Sequence, residues 1–546
     1  MKKLCLVALA ILLVAGFLIS GCADPSPAAP SSTAPSPTAP SPTAPSPTTP
    51  SPTAPSPTAP SPTAPEKPQY GGIFRWGANA GPAALGVTSL YSGTDFNLAC
   101  METLLYEDSE GRNLPGSLCT ELIIAPDLMS VTMHLRKGVK FHDGTDFNAE
   151  AAKWNLDMFK SGKRSDLDPV DSIDILDEYT IRLNLNVFYN NTLGYLATPT
   201  GQIVSPTATE KNGVEWAIWN PVGTGPFKFV SYEKDIAVIY ERFDDYWGEG
   251  LPYLDGFEII TIKDPLVAVA ALQAGEIDFI FRLDTKFAAD LKTIGYTVDN
   301  CIGEGKASIL VPDGANPDSP FADKRVREAV EYAIDRKAIA DTLGRGFWDA
   351  TNQLAPPDSY AYVPGFGRTY NPDKARELLA EAGFPDGFKT SIIVLTTEAN
   401  CKDECTAIQG YLARVGIDAE LILADAAKWG DYRYGGWQNG LCYVMVGGKP
   451  NMPGCWKGFF MGGRRIASMY DPAGSEDLLV KGLIASDFET REALAQEYVR
   501  MVSGEAMVVP LWIKPTLYAM NPDVRDLEVE QYDRSRPFAA DAWFSK

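Results

Sequence analysis

Alternating apolar and polar residues predict β-strands in the first half of the chain, and a continuous apolar run predicts one near its end. Residues 131–135 alternate cleanly and place His134 on the polar side, and residues 228–232 alternate after a turn rich in Pro and Gly. Residues 73–76 form a further predicted strand at the start of the globular part. The apolar run 507–513 is typical of a strand buried on both faces. The chain is therefore predicted to contain a substantial sheet.

Apolar residues at helical spacing, each set preceded by a capping residue, predict helices. Because helices and strands alternate between residues 306 and 510, we expect α/β architecture there. The first predicted helix begins after Asn148, and the second runs from Asp264-Pro265 to Gly275. The third begins at Asp323, and the fourth runs from Asn371-Pro372 to Gly383. A fifth ends at Gly416, before a strand over residues 417–423.

The first 21 residues have the pattern of an export signal. Lys2 and Lys3 precede an apolar run over residues 4–19, which is somewhat short for a membrane span. The run is followed by Ser20-Gly21-Cys22, an ending that resembles a bacterial lipobox, in which the cysteine takes a diacylglycerol and becomes the new N-terminus. We therefore expect residues 1–21 to be a lipoprotein signal peptide and Cys22 to be lipidated. A plain signal peptide followed by a chance cysteine is the alternative.

Residues 22–69 follow as a spacer after the lipidated cysteine. From residue 25 to residue 68 the sequence repeats Ala-Pro-Ser-Pro-Thr with almost no apolar content beyond alanine. Such a segment buries too little surface to offset its ordering entropy, so we expect an extended, disordered spacer. Its Ser and Thr residues are candidates for O-glycosylation, and a proline-rich ligand is the minor alternative function.

Charge and composition exclude some classes of partner. The 546 residues carry a net charge of −22, which argues against nucleic acid or an anionic lipid surface as a partner. The membrane is expected to be contacted through the lipid anchor alone. The 45% apolar content is that of an ordinary globular protein long enough for about three domains.

The sequence contains few of the residues and motifs that catalytic sites use. The only two histidines are His134 and His142, and no GxSxG, HExxH or GxxxxGK[ST] motif is present. Paired carboxylates can be found among 70 acidic residues, so composition alone leaves a glycosidase open. We predict that the protein is not an enzyme and has no catalytic residues, no metal site and no cofactor.

The cysteines permit disulfides in an exported protein. Seven cysteines follow Cys22, and because this number is odd, at least one thiol is left over. Proximity in the sequence suggests Cys442 with Cys455 and Cys100 with Cys119. A zinc site is the rival interpretation, but Cys401 and Cys405 have no His or second CxxC nearby.

Five motifs in order resemble those of the family-5 extracellular solute-binding proteins of ABC importers. The resemblance covers roughly residues 70–546. The motifs are HLRKGVKFHDG at 134–144, PVGTGPF at 221–227, DYWG at 245–248, LQAGEID at 272–278 and DKRVREAVEYAID at 323–335.

The resemblance implies a two-lobed periplasmic-binding-protein-like (Venus flytrap) fold of α/β class with an extra inserted subdomain. The two lobes are expected to be connected by crossings near residues 308–312 and 508–515. The implied domains are lobe I at 70–103, 216–305 and 514–546, the inserted subdomain of lobe I at 104–215, and lobe II at 306–513.

The resemblance also implies a function. The protein is expected to be a monomeric, lipid-anchored receptor outside the cytoplasm, periplasmic or on the cell surface, that closes its lobes on a peptide or peptide-like solute and delivers it to ABC permease and ATPase subunits. An oligosaccharide or a metal chelate in the same fold stays open as the solute. A cell-surface adhesion or signalling receptor without transport is the alternative from a different class.

Some residues are implied to contact the solute. Residues 428–432 resemble the family segment whose tryptophan lines the cleft, which makes Trp429 and Tyr432 candidates, although a packed core position would also suit Trp429. Trp437 is a further candidate with less support. Residues 91–94 resemble a lobe I loop facing the same cleft, so Tyr91, Ser92 and Thr94 are also candidates, with an ordinary surface turn as the alternative.

One stretch departs from the peptide-binding pattern. Relatives carry an acidic loop that pairs with the peptide α-amine, whereas residues 447–455 of this chain contain neither Asp nor Glu. Recognition of a peptide through that contact is therefore in doubt, because a buried ammonium needs a charged partner. Lys449 and Asn451 are the polar candidates in this stretch, and Lys449, Arg464 or Arg465 would suit an anionic solute. A nickel chelate is not favoured, since neither histidine falls in the lobe II cleft segments.

Overall fold

The computed structural model describes residues 67–86, 95–108, 110–162, 167–198, 201–397, 400–447, 451–462, 465–529 and 537–545. These residues belong to one compact unit, Glu66–Lys546. The predicted signal peptide, Cys22 and nearly all of the spacer lie outside the described residues.

The described residues form strands and helices of mixed order, which confirms the predicted α/β class. The strands are β1 (Ile73–Ala78), β2 (Glu102–Thr103), β3 (Tyr106–Glu107), β4 (Asn113–Leu114), β5 (Cys119–Ile124), β6 (Ser130–Leu135), β7 (Val170–Asp177), β8 (Thr180–Leu185), β9 (Gln202–Ile203), β10 (Phe227–Glu233), β11 (Ala237–Arg242), β12 (Gly256–Thr261), β13 (Phe279–Leu283), β14 (Thr297–Pro312), β15 (Asp349–Ala350), β16 (Phe388–Leu395), β17 (Ile417–Ala424), β18 (Gly440–Gly447), β19 (Val509–Met520), β20 (Val524–Arg525) and β21 (Trp543–Phe544).

The helices lie mainly in the second half of the chain, as their periodicity predicts. They are α1 (Ala149–Ser161), α2 (Asn190–Gly194), α3 (Pro206–Asn212), α4 (Val214–Ala217), α5 (Pro265–Ala274), α6 (Thr285–Thr293), α7 (Lys324–Ala333), α8 (Arg336–Gly344), α9 (Pro372–Glu381), α10 (Cys401–Ala413), α11 (Ala426–Gly435), α12 (Met452–Phe460), α13 (Ser475–Ile484) and α14 (Phe488–Gly504).

The predicted helix caps are confirmed. The Asn148 side chain accepts from Ala151 N at the start of α1, and Asp264 accepts from Leu266 N at the start of α5. Gly275 ends α5 with φ of 72°, a left-handed conformation that glycine adopts without steric cost. Asp323 and Asn371 cap α7 and α9 in the same way as Asp264.

One sheet of eleven strands runs through both halves of the unit. Its order is β10-β11-β12-β1-β13-β19-β14-β18-β16-β17, with β15 paired to β19. The pairs of β1 with β12 and of β16 with β17 are parallel, whereas β14 and β19 are antiparallel to each other at the centre. A separate antiparallel sheet, β5-β6-β8-β7, lies in the segment predicted as the inserted subdomain.

Strands β14 and β19 run between the hydrophobic clusters of the two halves, each of which has two such clusters. In β14, Cys301 is buried in the core of the first half, whereas Ala307 and Ile309 are buried in that of the second half. In β19 the change occurs between Ile513 and Leu517. The two halves correspond to lobe I with its inserted subdomain and to lobe II, and we use those names below. The change of core in β14 lies before residue 308, where the crossing was expected to begin, and the exact domain boundaries stay a prediction.

The ladder between β14 and β19 is irregular where the cores change. Cys301 pairs with Thr516 and Lys306 with Lys514, so residues 302–305 lie opposite Pro515 alone. Proline has no N–H to donate to a ladder, and extra residues in one strand form a bulge. The interruption of the ladder thus lies where the chain passes from one hydrophobic core to the other.

The turn at residues 221–227 is buried against its neighbours. Gly225 N donates to the Cys100 carbonyl at 3.0 Å, and a Cβ at Gly223 would lie 2.2 Å from the same oxygen. His142 accepts from Gly223 N at Nδ1, so its Nε2 carries the proton and donates to the Gly225 carbonyl at 2.9 Å. Burial lowers the pKa of His142 to about 4, so the ring is neutral. Glycines are therefore required here by close approach.

The suggested disulfides are not formed in the structure, which corrects that expectation. The Cys442 thiol is fully buried in β18, and Cys455 instead directs its sulfur to the Gly447 carbonyl. Cys119 likewise donates to the Glu121 carbonyl at 3.1 Å, and Cys100 lies under the turn just described. Proximity in sequence does not fix which way side chains point.

Candidate functional site

Helix α11 carries two of the predicted solute contacts. Asp425 caps the helix by accepting from Lys428 N at 2.8 Å. Trp429 is half-buried; its indole N–H donates to the Tyr443 carbonyl at 3.2 Å, and its ring packs on the lobe II core. Tyr432 is also half-buried, with the Lys428 ammonium 4.9 Å from its ring centre. Both side chains thus keep part of their surface accessible while the helix fixes their position.

Trp437 is a core residue, which corrects the expectation that it lines the cleft. Its side chain is 7% exposed, and its indole N–H donates to the Gly440 carbonyl at 3.1 Å. Its backbone N–H donates to Ser468 Oγ at 2.8 Å. An indole with its donor satisfied and its faces packed presents no surface to a solute.

Asn451 joins lobe II to the inserted subdomain. Its Oδ1 accepts from Gly454 N at 3.1 Å and so caps helix α12. Its Nδ2 donates to Asn190 Oδ1 at 3.0 Å, across the boundary between the two lobes. The Asn190 Nδ2 in turn donates to the carbonyls of Gly482 and Ala485 at 2.7 and 3.1 Å. These bonds define a contact zone between α2 and α12 that we call the seam.

A small pocket with a cavity volume of about 50 Å³ lies in the seam. One wall comes from the inserted subdomain and the other from the first turn of α12. Amide, hydroxyl and thiol groups surround it together with a single carboxylate. The described lining residues are Glu107, Asn191, Gly194, Tyr195, Thr198, Asn451, Gly454 and Cys455.

The hairpin of β3 and β4 is fastened to lobe II by a buried arginine. Arg491 of α14 is 5% exposed and donates from its two terminal nitrogens to the carbonyls of Gly111 and Glu110 at 2.8 and 2.9 Å. Its guanidinium carbon lies 5.3 Å from the ring centre of Phe488. Such charge-assisted bonds to main-chain carbonyls are stronger than neutral ones, so the hairpin is held firmly across the seam.

Several predicted site residues cannot be placed. Tyr91, Ser92, Thr94 and Lys449 lie outside the described residues, as does Arg464. Arg465 is described, and its guanidinium pairs with the Asp471 carboxylate. Of the predicted contacts that are described, Asn451 lines the pocket, whereas Trp429 and Tyr432 lie on the neighbouring helix.

Glu107, Asn190 and Arg491 were missed by sequence reasoning. Glu107 belongs to an acidic, turn-like stretch that has the composition of a surface loop. Arg491 lies in an amphipathic helix, where a basic residue normally faces solvent. Only the tertiary contact across the seam gives these side chains a role, and no local pattern signals it.

Two further features were sought among the described residues, a metal site and a membrane-spanning helix. No group of three His, Cys, Asp or Glu side chains suited to holding a metal ion occurs among them. Within the same residues, no helix is both long and apolar enough to cross a membrane.

The comparison with protein families decides the affiliation of the chain. The family described as bacterial extracellular solute-binding proteins, family 5 Middle, matches residues 114–448, more than half of the 546 residues. The chain belongs to this family. The resemblance stated from the five motifs is thereby confirmed.

Curated relatives match a little more than half of the chain. The glutathione-binding protein GsiB of Salmonella typhimurium is 33% identical over 314 residues, which are 56% of this chain and 60% of that protein. The protein of the same name from Escherichia coli O157:H7 is 34% identical over 324 residues, 58% of this chain and 62% of the relative. The matches thus span about three fifths of the relatives' length.

Solved structures share the fold over nearly their whole length. DppA from Helicobacter pylori, in complex with peptide STSA, has a TM-score of 0.68 and 24% identity, covering 88% of this chain and 99% of that one. NikA from Brucella suis, in complex with Fe(III)-EDTA, has a TM-score of 0.75 and 22% identity, covering 84% and 98%. At these identities the likeness shows the fold, and it confirms the two-lobed periplasmic-binding-protein architecture.

Proposed function

We propose that this protein is the substrate-binding component of an ABC import system and that it captures a peptide or peptide-like solute by closure of its two lobes. The observation that carries the proposal is the seam pocket, which is built half from the inserted subdomain and half from lobe II. A solute bound in such a place contacts both lobes only when they are together, so it stabilises the closed form. The permease and ATPase partners follow from the family.

The choice of solute rests on the relatives. GsiB is named as glutathione-binding, and DppA was solved with a peptide. Both solutes are short chains with amide groups, which suit a pocket lined by amide and hydroxyl side chains. The proposed role is binding without catalysis.

The fold supplies a mechanism for closure. Only the paired strands β14 and β19 belong to both cores among the strands of the described large sheet, and their pairing is interrupted opposite Pro515. Rotation of the lobes about this interruption would separate Asn451 from Asn190 and open the pocket. Closure would bring the seam bonds together again around the solute.

The proposed location is the outer face of a bacterial cell membrane. The lipobox-like ending at Cys22 supports a diacylglycerol anchor, and several acyl chains on one residue give durable attachment. The repeated Pro, Ser and Thr residues behind it would hold the body away from the membrane by on the order of 100 Å, at roughly 3.1 Å per residue.

A thermal-shift screen of the purified protein tests this function. The panel contains glutathione, mixed short peptides, oligosaccharides and nickel chelates, and native mass spectrometry detects any solute that co-purifies. We expect a saturable rise in Tm with a peptide or glutathione, because a ligand at one hundred times its Kd stabilises the folded state by about 2.7 kcal/mol.

Two tryptophan variants locate the binding site in the same screen. Trp429→Ala is expected to remove most of the shift. Trp219→Ala is the matched control, because Trp219 is 39% exposed on lobe I and stacks on Tyr232. If no class of solute raises Tm and none co-purifies, the import role is contradicted. If a shift persists in Trp429→Ala, the solute does not use this part of the cleft.

A further inference from the structure

We infer that the inserted subdomain and lobe II share a latch that favours the closed form without any group supplied by the solute. The latch consists of Arg491, which holds the β3–β4 hairpin, and Asn190, which holds α12 and α13. This inference rests on the proposed closure of the two lobes and deepens it, because it assigns part of the free energy of closure to the protein itself.

The β3–β4 hairpin presents a preformed acceptor for Arg491. Asp108, which is 4% exposed, accepts from the backbone N–H groups of Glu110 and Arg112 at 3.0 and 2.8 Å and so fixes the turn. Gly111 has φ of 71° in this turn, a conformation that favours glycine. The carbonyls of Glu110 and Gly111 are thereby held in place for the two terminal nitrogens of Arg491. A guanidinium gains more from acceptors that are already fixed, because less conformational entropy is lost when they meet.

Lobe II positions the Arg491 side chain between aromatic rings. The guanidinium carbon lies 5.3 Å from the ring centre of Phe488 and 5.6 Å from that of Tyr360. These two rings also contact each other, with their centres 5.1 Å apart. From the hairpin, the guanidinium of Arg112 lies 5.9 Å from the Phe488 ring centre. Both sides of this contact are therefore ordered by their own lobe, which suits a contact that forms and breaks as a unit.

Asn190 makes the second contact of the latch. Its side chain is 6% exposed, and its Nδ2 donates to the carbonyls of Gly482 and Ala485 at the end of α13. Carbonyls at a helix end have no partner inside the helix, so they are natural acceptors for such a donor. The Asn190 Oδ1 accepts from Asn451, the residue that caps α12. One amide thus joins the inserted subdomain to two helices of lobe II.

The latch is separate from the seam pocket. Neither Arg491 nor Asn190 is among the described residues that line it. Their bonds across the seam therefore require no atom of the solute, and they raise the fraction of molecules in the closed form. The apparent Kd equals the intrinsic Kd divided by that fraction. Loss of the latch should consequently weaken the binding of every solute by the same factor.

Hydrogen–deuterium exchange of the full-length protein without added solute tests the latch. Arg491→Ala is expected to speed exchange at least threefold in the β3–β4 hairpin and also in α2, where the second latch residue lies. Asn190→Ala is expected to speed exchange in the hairpin in the same way. Exchange in β16 and β17, within lobe II, should stay unchanged. Arg500→Ala is the matched control, because Arg500 is exposed on the same helix as Arg491.

Calorimetric titration measures the effect of the latch on binding. The probes are the peptide Ser-Thr-Ser-Ala and glutathione. Arg491→Ala is expected to weaken the binding of both probes at least fivefold and by the same factor. Arg491→Lys should give an intermediate loss, since an ammonium keeps the charge but lacks the planar fork that reaches two carbonyls together. Arg500→Ala should bind like the wild type.

The outcomes separate the latch from the proposed function. If Arg491→Ala loosens the hairpin alone, or leaves the affinity for both probes unchanged, the latch is overturned while binding by closure stands. Unequal weakening of the two probes would place Arg491 in contact with a solute and would also overturn it. If Arg491→Ala does not fold, Arg491→Lys and Asn190→Ala provide the same comparisons. If neither probe binds to the wild type, the peptide-binding function fails, and the exchange data still decide the latch.

Discussion

Glu102 lies beneath the turn at residues 221–227 with 2% of its surface exposed. Thr224 Oγ1 donates to it at 2.7 Å, and the Trp247 indole N–H donates at 3.0 Å. Burial nevertheless raises its pKa to about 7, because desolvation of the carboxylate outweighs these bonds and the charge of Arg136. The folded protein therefore holds a proton on Glu102 at a pH at which an unfolded chain has lost it.

Stability should consequently fall with pH through this group. A carboxyl whose pKa is raised in the folded state contributes its full stability below about pH 4.5 and loses it as the pH rises to about 7. Glu102→Gln removes this dependence. The free energy of unfolding of the variant, relative to that of the wild type, should therefore rise by on the order of 3 kcal/mol between pH 4.5 and pH 8. Urea unfolding at both pH values measures the difference.

The exposed Glu121 provides the control for that experiment, since its side chain is 63% exposed. Glu121→Gln should follow the wild type at both pH values. The buried Glu331, whose pKa burial also raises to about 7, acts in the same direction and cancels in the difference between variant and wild type. A difference that does not change with pH would contradict the account.

The sequence predicts single residues well where the backbone decides their role. Local sequence predicts that Asn148 and Asp264 cap their helices and that Gly275 ends α5. The structure confirms all three. Trp429 and Trp437 are alike in sequence, yet one is half-buried and the other lies in the core. Their difference arises from tertiary packing, which no local pattern contains.

At the scale of elements, a buried carboxylate ties helix α10 to the strands near the crossing. Glu404 has no exposed surface and accepts from Trp512 Nε1 at 2.9 Å and from Lys514 Nζ at 2.8 Å. The Tyr443 hydroxyl also bonds to Glu404 and lies 2.7 Å from Ser308 Oγ. One side chain thus links α10 with β18 and β19, while Tyr443 extends the network to β14.

Removal of this carboxylate should be costly. Glu404→Ala leaves the Lys514 ammonium, which is 14% exposed, without its carboxylate partner. The Trp512 indole and the Tyr443 hydroxyl also lose this hydrogen-bond acceptor. We expect a loss of about 3–5 kcal/mol in the free energy of unfolding, measured by chemical denaturation. Asp403→Ala, an exposed neighbour on the same helix, should cost less than about 1 kcal/mol. Equal losses for the two variants would rule out the proposed role of the network.

Predicted element boundaries differ from the structure by a few residues in α9 and α10 and by more where the two lobes meet. A buried strand was predicted over residues 507–513, and β19 indeed begins there but continues to Met520. Pro515 argues against a continuing strand, because it cannot donate to a ladder. The structure accommodates it opposite the bulge at residues 302–305. The exception therefore coincides with the joint between the lobes.

At the scale of the whole molecule, order of motifs was enough to predict the two-lobed fold, whereas the site was predicted only in part. Asn451 was expected to contact the solute and lines the seam pocket. Glu107 and Asn190 lie more than 250 positions before Asn451 in the chain. They belong to the inserted subdomain, to which the sequence analysis assigned no solute contact. Their meeting with α12 is a tertiary contact between distant parts of the chain.

In the proposed mechanism, lobe closure determines how the molecule responds to its solute. The seam bonds of Asn190 and Arg491 join the inserted subdomain to lobe II outside the continuous sheet. A solute with contacts on both walls adds to these bonds and shifts the population towards the closed form. The antiparallel sheet β5-β6-β8-β7 lies within one lobe and should not respond.

Hydrogen–deuterium exchange with and without solute tests most directly the claim that the lobes close on a peptide-like solute. With saturating Ser-Thr-Ser-Ala or glutathione, we expect slower exchange in α2, in α12 and in the β3–β4 hairpin, and unchanged exchange in β5 to β8. Saturable binding with no protection at these three seam elements, or with protection confined to a single lobe, would contradict closure at this site.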